Sequence, residues 1–265
     1  MRILIAGPDY GMEMGWRLMR WQAKIRWQSE VYDHTFIITS PEMEYIYQDF
    51  AKPIKNIATI GLKPNMWRFD GADVDYIQPN KKYCCYNGNE KFLQYGVREP
   101  EKDFVIIHPR KKDDGREWSI EKWNEYISIM LEKGIDISVV GTKQDTHEIG
   151  NKTLRTGGSL YNCVGMPLEF VVQNMGVATM IVGPSSGPMH LASLCKCPQL
   201  VWTDKKIWNL GICTVGICKG TNRDRYETMW NPFKTSVRVC DNHGWNPPVK
   251  KIVKETLEYM EELNA

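Results

Sequence analysis

The sequence lacks several patterns that would place it in a familiar class. Its eight cysteines form no CxxC pair, no GxGxxG loop follows its first apolar run, and no apolar run is long enough to span a membrane. Its 34 Lys and Arg nearly balance its 32 Asp and Glu. These absences argue against a zinc site, an NAD-dependent dehydrogenase, a membrane-spanning protein and a strongly electrostatic nucleic-acid binder.

The composition is that of an ordinary globular protein, with 42% hydrophobic and 25% charged residues. The chain opens on Arg2–Ala6, which predicts a first strand rather than a signal peptide. Most cysteines lie in apolar surroundings, which favours reduced, buried thiols over a metal site. They are Cys84, Cys85, Cys163, Cys195, Cys197, Cys213, Cys218 and Cys240. We therefore expect a cytoplasmic protein that needs no metal and no cofactor.

Strands and helices alternate along the chain, a pattern typical of parallel α/β sheets. After the first strand, the predicted strands are 35–39, 54–60, 74–77, 104–108, 135–140, 177–182 and 199–202. The predicted helices are 16–27, one opening at Ser40, 120–133, 167–175, 188–195 and 249–263. The polar, turn-rich residues 78–102 separate two such patterns, so we place a boundary near residue 100, giving domains 1–100 and 101–265.

The most informative stretch is Gly183-Pro184-Ser185-Ser186-Gly187-Pro188-Met189-His190. It follows an apolar run and predicts a buried strand, a small-residue turn and a helix that begins near Pro188. Unpaired N–H groups at the start of a helix attract anions, so this turn predicts a phosphate site. In open α/β sheets ligands lie at the carboxyl ends of the strands, which marks the loops after residues 6, 108, 140 and 182 as candidates.

Three motifs in the second half resemble the donor-binding domain of GT-B glycosyltransferases, above all the heptosyltransferase-like glycosyltransferase family 9. They are His108-Pro109-Arg110 with Trp118-Ser119-Ile120-Glu121-Lys122-Trp123, Val139-Val140-Gly141 with Asp145, and Ser186-Gly187-Pro188-Met189-His190-Leu191-Ala192, in the family's order over residues 103–203. The resemblance implies two Rossmann-like domains whose parallel sheets face each other across a cleft. The first would serve the acceptor, and the second would bind the nucleotide sugar and end in a helix that crosses back. Ser185 departs from the pattern, since the family usually carries aspartate there.

The resemblance implies a metal-independent, inverting transfer of a hexosyl, heptosyl or pentosyl group from a nucleotide-diphosphate sugar to a hydroxyl group. The implied donor-binding residues are His108, Arg110, Lys111, Gly141, Thr142, Asp145, Ser185, Ser186, Gly187, Pro188, Met189 and His190. Backbone N–H groups near Ser186 and the cations at 110 and 111 would stabilise the leaving diphosphate. Plainer readings stay open: His190 as a core residue, Asp145 as a helix cap, and residues 110–112 as a solvated run.

Glycosyl transfer also needs a base for the acceptor proton. The candidates are Asp9, nearer the end of the first strand, and Glu13, just before the first helix. Each acid has a plainer role, the stabilisation of a helix N-terminus. Further candidates for substrate contact are Tyr10, Trp16, Arg17, Arg225, Tyr226 and Trp230. Arg17, Arg20 and Lys24 recur at helical spacing, which favours a solvated basic face.

Several alternatives stay open at this point. The acceptor is either a saccharide, such as a lipopolysaccharide-like glycan, or a hydroxylated base in DNA, as in viral DNA glycosyltransferases. Because Ser185 replaces an aspartate and two acids compete as the base, a non-catalytic nucleotide- or nucleotide-sugar-binding protein derived from a GT-B enzyme is the second hypothesis. The sugar, the nucleotide and the oligomeric state are not determined by the sequence.

Overall fold

The computed structural model describes residues 1–54, 71–79, 89–153, 157–209 and 219–265. These residues divide into two compact units, the first within Met1–Phe92 and the second formed by Leu93–Asn209 and Lys219–Ala265. The break between the units therefore follows Phe92, and the sequence-based boundary lies near residue 100.

The first unit is built on a parallel sheet whose described strands are ordered β3-β2-β1-β4. The strands are β1 (Arg2–Ala6), β2 (His34–Ile37), β3 (Lys52–Pro53) and β4 (Asp73–Ile77). The predicted strands at 2–6, 35–39 and 74–77 are confirmed to within two residues. The predicted strand at 54–60 lies outside the described residues apart from Ile54. Gly7 follows β1 with φ +117°, and a Cβ there would lie 2.4 Å from the Ile38 carbonyl oxygen, so this close approach requires glycine.

A continuous helical run follows the first loop of this unit. It comprises α1 (Met14–Trp16), a π-helical segment (Arg17–Gln22) and α2 (Ala23–Ser29). Arg17 and Arg20, predicted to lie on a solvated face, expose only 8% and 1% of their surface. That prediction is wrong because each guanidinium lies beside an acid, Asp9 for Arg17 and Glu90 for Arg20. A 3-10 helix (Pro41–Ile46) begins after Ser40, as the serine and proline predict.

The second unit contains a larger sheet, ordered β13-β10-β9-β5-β6-β8-β7 and parallel except for the β7–β8 pair. Its strands are β5 (Phe104–Ile107), β6 (Asp136–Val139), β7 (Lys152–Thr153), β8 (Ser159–Asn162), β9 (Met180–Pro184), β10 (Gln199–Trp202) and β13 (Val237–Cys240). A two-stranded antiparallel ribbon pairs β11 (Trp208–Asn209) with β12 (Lys219–Gly220). Its helices are α3 (Ile120–Glu132), α4 (Leu168–Val177), α5 (Gly187–Leu194), α6 (Asn222–Asp224), a π-helical segment (Arg225–Met229) and α7 (Val249–Asn264).

A cluster of indoles fills the core on one face of this sheet. Trp118 stacks on Trp202 with ring centroids 4.5 Å apart, and Trp123 meets Trp118 edge-on at 5.0 Å. All three side chains are fully buried, so Trp118 and Trp123 are packing residues of the core. Helix α7 closes the cluster from the side of α3, where the hydroxyl groups of Tyr126 and Thr256 lie 3.2 Å apart. That α7 also crosses towards the first domain stays a prediction.

The boundaries of the predicted elements differ from the structure mainly around β9. The strand predicted at 177–182 begins at Met180, because α4 continues to Val177. The strands β7, β8 and β13, at the two ends of the sheet order, were not predicted, since each has only two to four residues. Among the described cysteines, Cys163, Cys195, Cys197 and Cys240 are free thiols. No helix within the described ranges is long and apolar enough to cross a membrane.

Candidate functional site

The turn between β9 and α5 has the geometry of a phosphate site. Ser186 is the N-cap residue of α5 and has an extended backbone, with φ −161° and ψ 173°. Its hydroxyl group lies 2.9 Å from Nδ1 of His108, so it is held away from the first turn of the helix. The amides of Gly187 and Met189 are among the first N–H groups of a helix, which have no partner within it. Pro188 between them donates none. These amides and the helix dipole can receive an anion.

The Tyr226 hydroxyl group forms hydrogen bonds with two residues of this turn. It donates to Ser185 Oγ at 3.0 Å and accepts from the Ser186 backbone N–H at 3.3 Å. Both Ser185 and Tyr226 are buried. In this chain, position 185 therefore carries a neutral pair of hydroxyl groups where the family motif has a carboxylate. Burial raises the pKa of Tyr226, so the phenol stays neutral.

His190 lies beneath the turn as a buried side chain. Its ring stacks on Tyr226 at 4.6 Å and meets Trp230 edge-on at 4.6 Å. Burial, with a contribution from the Arg225 charge, lowers the pKa of His190 well below its ordinary value. Nε2 lies 3.4 Å from the Tyr226 oxygen, and Nδ1 has no hydrogen-bond partner among the described residues. We therefore assign the proton to Nε2. These contacts favour the core reading of His190 over direct binding of phosphate.

His108 joins the ends of three neighbouring strands. It follows β5, bonds to Ser186 beyond β9, and packs against Gly141 beyond β6. A Cβ on Gly141 would lie 2.1 Å from Thr146 Oγ1 and 2.9 Å from the His108 ring, and φ is +142°. Burial, with the charges of Arg110 and Lys112, lowers the pKa of His108 to about 3. The ring is therefore neutral near pH 7. Its contacts with Ser186 and Gly141 connect the loops that follow β5, β6 and β9.

Arg110, predicted to bind the donor, forms ion pairs with acids of its own loop. It is buried and forms a bidentate pair with Asp114, and its Nη1 lies 3.3 Å from Glu117. The solvated-run reading is therefore wrong for Arg110, whereas Lys111 and Lys112 are exposed. The backbone of Arg110 also pairs with that of Thr146, which ties this loop to the loop after β6.

Asp145 and Thr142 lie together in the loop after β6. The Asp145 carboxylate lies 3.6 Å from Lys112 Nζ and is partly exposed. Its backbone N–H donates to Thr142 Oγ1 at 3.2 Å, and its carbonyl accepts from the Lys111 amide at 2.7 Å. The structure therefore brings the predicted residues at 111, 142 and 145 into one accessible group. The described residues 146–153 after Asp145 form no helix, so the helix-cap alternative is wrong.

Arg225 lies between two indoles, close to the turn between β9 and α5. Its guanidinium carbon is 4.2 Å from the Trp208 ring centroid and 4.6 Å from that of Trp230. Its Nη1 donates to Asn222, whose amide donates in turn to Thr203 at the carboxyl end of β10. The three residues predicted in this segment, Arg225, Tyr226 and Trp230, are thus gathered around Ser185 and His190. Trp208 and Asn222 were missed, and no motif marks them.

In the first unit, the two candidate bases have opposite environments. Asp9 is completely buried, and its Oδ2 accepts from the Tyr47 hydroxyl at 2.6 Å and lies 3.3 Å from Arg17 Nε. Burial raises the pKa of Asp9, while Arg17 and Tyr47 oppose the rise. Glu13 is exposed at the N-cap of α1. The first unit thus has an exposed acid at 13 and an enclosed one at 9.

The remaining predicted residues of the first unit surround this loop. Tyr10 is 48% exposed, and Trp16 is half-buried on the first helical turn. Arg17 is buried and donates through Nη2 to the carbonyls of Asp9 and Met12. Tyr47, which anchors Asp9, was not predicted, because its partner is 38 residues away in sequence. No group of three or more metal-binding side chains occurs within the described ranges.

Comparisons with known proteins place this geometry in a family. The model of glycosyltransferase family 9 (heptosyltransferase) matches residues 6–201. The structure of E. coli ADP-heptose lps heptosyltransferase II is 12% identical with a TM-score of 0.61, and the match covers 100% of both chains. E. coli heptosyltransferase WaaC with ADP is 12% identical with a TM-score of 0.56, over 99% of this chain and 100% of that one.

A glycosyl transferase family 9 protein from Veillonella parvula DSM 2008 is 9% identical with a TM-score of 0.59, over 98% of this chain and 97% of that one. No curated protein matches the chain. At these identities the structural likeness shows the fold, and the family match over residues 6–201 shows the membership. The chain belongs to glycosyltransferase family 9, the heptosyltransferase family, and is a glycosyltransferase with the GT-B fold.

Proposed function

We propose that this protein transfers a heptosyl or related glycosyl group from an ADP-linked sugar to a hydroxyl group of a saccharide acceptor. The observation that carries the proposal is the turn before α5, where amides at the start of a helix are aligned by Ser186, His108 and Tyr226. ADP-heptose is chosen because heptosyltransferase II and the ADP-bound WaaC share the fold.

The leaving diphosphate is assigned to this turn. As the bond between the anomeric carbon and the phosphate oxygen breaks, negative charge grows on the departing nucleotide. The Gly187 and Met189 amides and the positive end of α5 stabilise that charge without a metal ion. The exposed Lys111 adds charge from the loop after β5. Asp145 is assigned to the ribose hydroxyl groups, because its carboxylate is partly exposed beside Lys112 and its backbone is held by Thr142.

Glu13 is assigned as the base. Its carboxylate removes the acceptor hydroxyl proton while the acceptor oxygen bonds to the anomeric carbon, so a single displacement inverts the configuration. A base must reach the proton that it removes, and Glu13 is exposed whereas Asp9 is fully enclosed. This exposure favours Glu13 of the two sequence candidates.

The test is a screen of donors and acceptors with mass-spectrometric detection. The purified protein is incubated with ADP-heptose, UDP-glucose, GDP-mannose or CDP-activated sugar, each with truncated lipopolysaccharide or with DNA that contains hydroxymethylated bases. We expect ADP release and a heptosylated saccharide. A glycosylated DNA product would overturn the saccharide assignment and retain the transferase. Nucleotide binding without turnover in any combination would support the non-catalytic alternative.

A further inference from the structure

We infer that Asp9 and Arg17 form a buried staple that positions Glu13 for proton transfer, so that Asp9 acts through Glu13 rather than as a base. This inference rests on the proposed role of Glu13. Nothing in the sequence distinguishes the two acids in this way, since both precede a helix within one loop.

One oxygen of the Asp9 carboxylate has two partners. Tyr47, just beyond the 3-10 helix, donates to Oδ2 at 2.6 Å, and Arg17 Nε lies 3.3 Å from the same oxygen. The Asp9 backbone N–H donates to the Ile38 carbonyl at 3.3 Å, which ties the loop to the residue after β2. Asp9 is therefore fixed at the carboxyl edge of the sheet and has no surface through which an acceptor hydroxyl group can reach it.

Arg17 carries the constraint from Asp9 to the rest of the loop. Its Nη2 donates to the carbonyls of Asp9 at 2.9 Å and Met12 at 3.5 Å. The Met12 amide donates to the Asp9 carbonyl at 3.2 Å, and the Arg17 amide donates to the Glu13 carbonyl at 3.0 Å. One buried guanidinium thus spans both ends of the segment that leads into Glu13. Arginine suits this role because its guanidinium can form an ion pair with a carboxylate while another of its nitrogens donates to carbonyls.

The staple leaves the Glu13 side chain exposed while its backbone is held. A base works at hydrogen-bond distance from the proton that it takes, and a misplacement of about 1 Å can lower a rate by about 100-fold. Loss of the Asp9 charge would release the Arg17 fork and widen the range of positions of residues 10–13. The expected defect is in the chemical step and not in nucleotide binding, because the proposed phosphate site lies entirely within the second unit.

A partly buried pair that involves Arg26, on the same helical run, provides the control. Arg26 forms a bidentate pair with Asp49, at 2.8 and 2.9 Å, and also donates to the carbonyls of Ile46 and Lys91. Asp49→Asn therefore removes the same kind of charge at a place that does not lead to Glu13. It should lower stability and leave kcat unchanged within about two-fold.

The experiment is a double-mutant cycle on Asp9→Asn and Glu13→Gln, with ADP-heptose and truncated lipopolysaccharide as substrates and calorimetry with ADP for binding. We expect Glu13→Gln to lower kcat by at least about 100-fold and Asp9→Asn by about 10- to 100-fold, each with unchanged ADP affinity. The double variant should be no slower than Glu13→Gln alone, since a positioning residue loses its effect when the base is gone. Multiplying effects would overturn the inference.

Two further measurements separate the possible failures. If Glu13→Gln keeps full activity, the proposed base is wrong. If Glu13→Gln is inactive and Asp9→Asn is fully active, the staple alone is wrong. If Asp9→Asn fails to fold, Arg17→Lys replaces it in the cycle, because lysine keeps the positive charge and loses the guanidinium donors.

If the wild type does not turn over this substrate pair, amide hydrogen exchange tests the staple instead. The staple predicts faster exchange of the Met12 and Arg17 amides in Asp9→Asn than in Asp49→Asn, and equal exchange would contradict it.

Discussion

The hydroxyl group of Tyr226 donates to the hydroxyl group of Ser185 at 3.0 Å, from a residue 41 positions further along the chain. The pair occupies the point where the family motif has an aspartate, and the same tyrosine oxygen accepts from the Ser186 amide. A segment beyond β10 therefore holds the first residues of the proposed phosphate site. Where the family motif has an acid, this chain has a neutral, hydrogen-bonded pair of hydroxyl groups from Ser185 and Tyr226.

Tyr226→Phe should weaken ADP binding by about ten-fold, equivalent to about 1.4 kcal/mol, as measured by calorimetry. The variant leaves the buried Ser185 hydroxyl and the Ser186 amide without their partner, and the turn loses its alignment. Tyr259→Phe is the control, because it removes a hydroxyl group that lies 2.6 Å from Ser236 in the same unit. Equal ADP affinity in the two variants would show that Tyr226 does not shape the site.

Gly141→Ala should destabilise the second unit by about 2–4 kcal/mol, because the new Cβ overlaps Thr146 and the backbone conformation is unfavourable for alanine. ADP binding should fall as well, since the His108 ring must move. Urea unfolding and calorimetry measure the two effects. Gly150→Ala is the matched control, with no atom within 4 Å of the added Cβ and no positive φ. A mild Gly141→Ala phenotype would contradict the close packing of this loop on His108.

The free energy of unfolding should fall as the pH drops from about 6.5 towards 4, in part because of His108. Burial lowers the pKa of His108 to about 3 in the folded state, so below its ordinary pKa of 6.5 the unfolded chain binds the proton more strongly. His108→Asn removes this contribution and should flatten the dependence. Urea unfolding at pH 7.5 and 5 measures it. The same difference between the two pH values in both proteins would contradict a buried, neutral His108.

Much of the second unit could be predicted from the sequence, because its apolar strands and helix caps are local signals. Serine, glycine and proline at 185–188 predicted the turn and helix α5, and the structure has both. The functions of individual charges could not be predicted in the same way. Arg17 and Arg110 look like surface cations in sequence, and both are buried beside acids. Helical spacing shows which residues share a face, but not whether a distant segment such as Tyr47 covers it.

We propose that the amides at the start of α5 bind the diphosphate of a nucleotide sugar. The most direct measurement is a titration of ADP into the isotope-labelled protein, followed by amide NMR. We expect saturable shifts that are largest at the Ser186, Gly187 and Met189 amides and are absent on titration with adenosine. Saturable ADP binding that leaves these three amides unmoved, or no ADP binding, would contradict it.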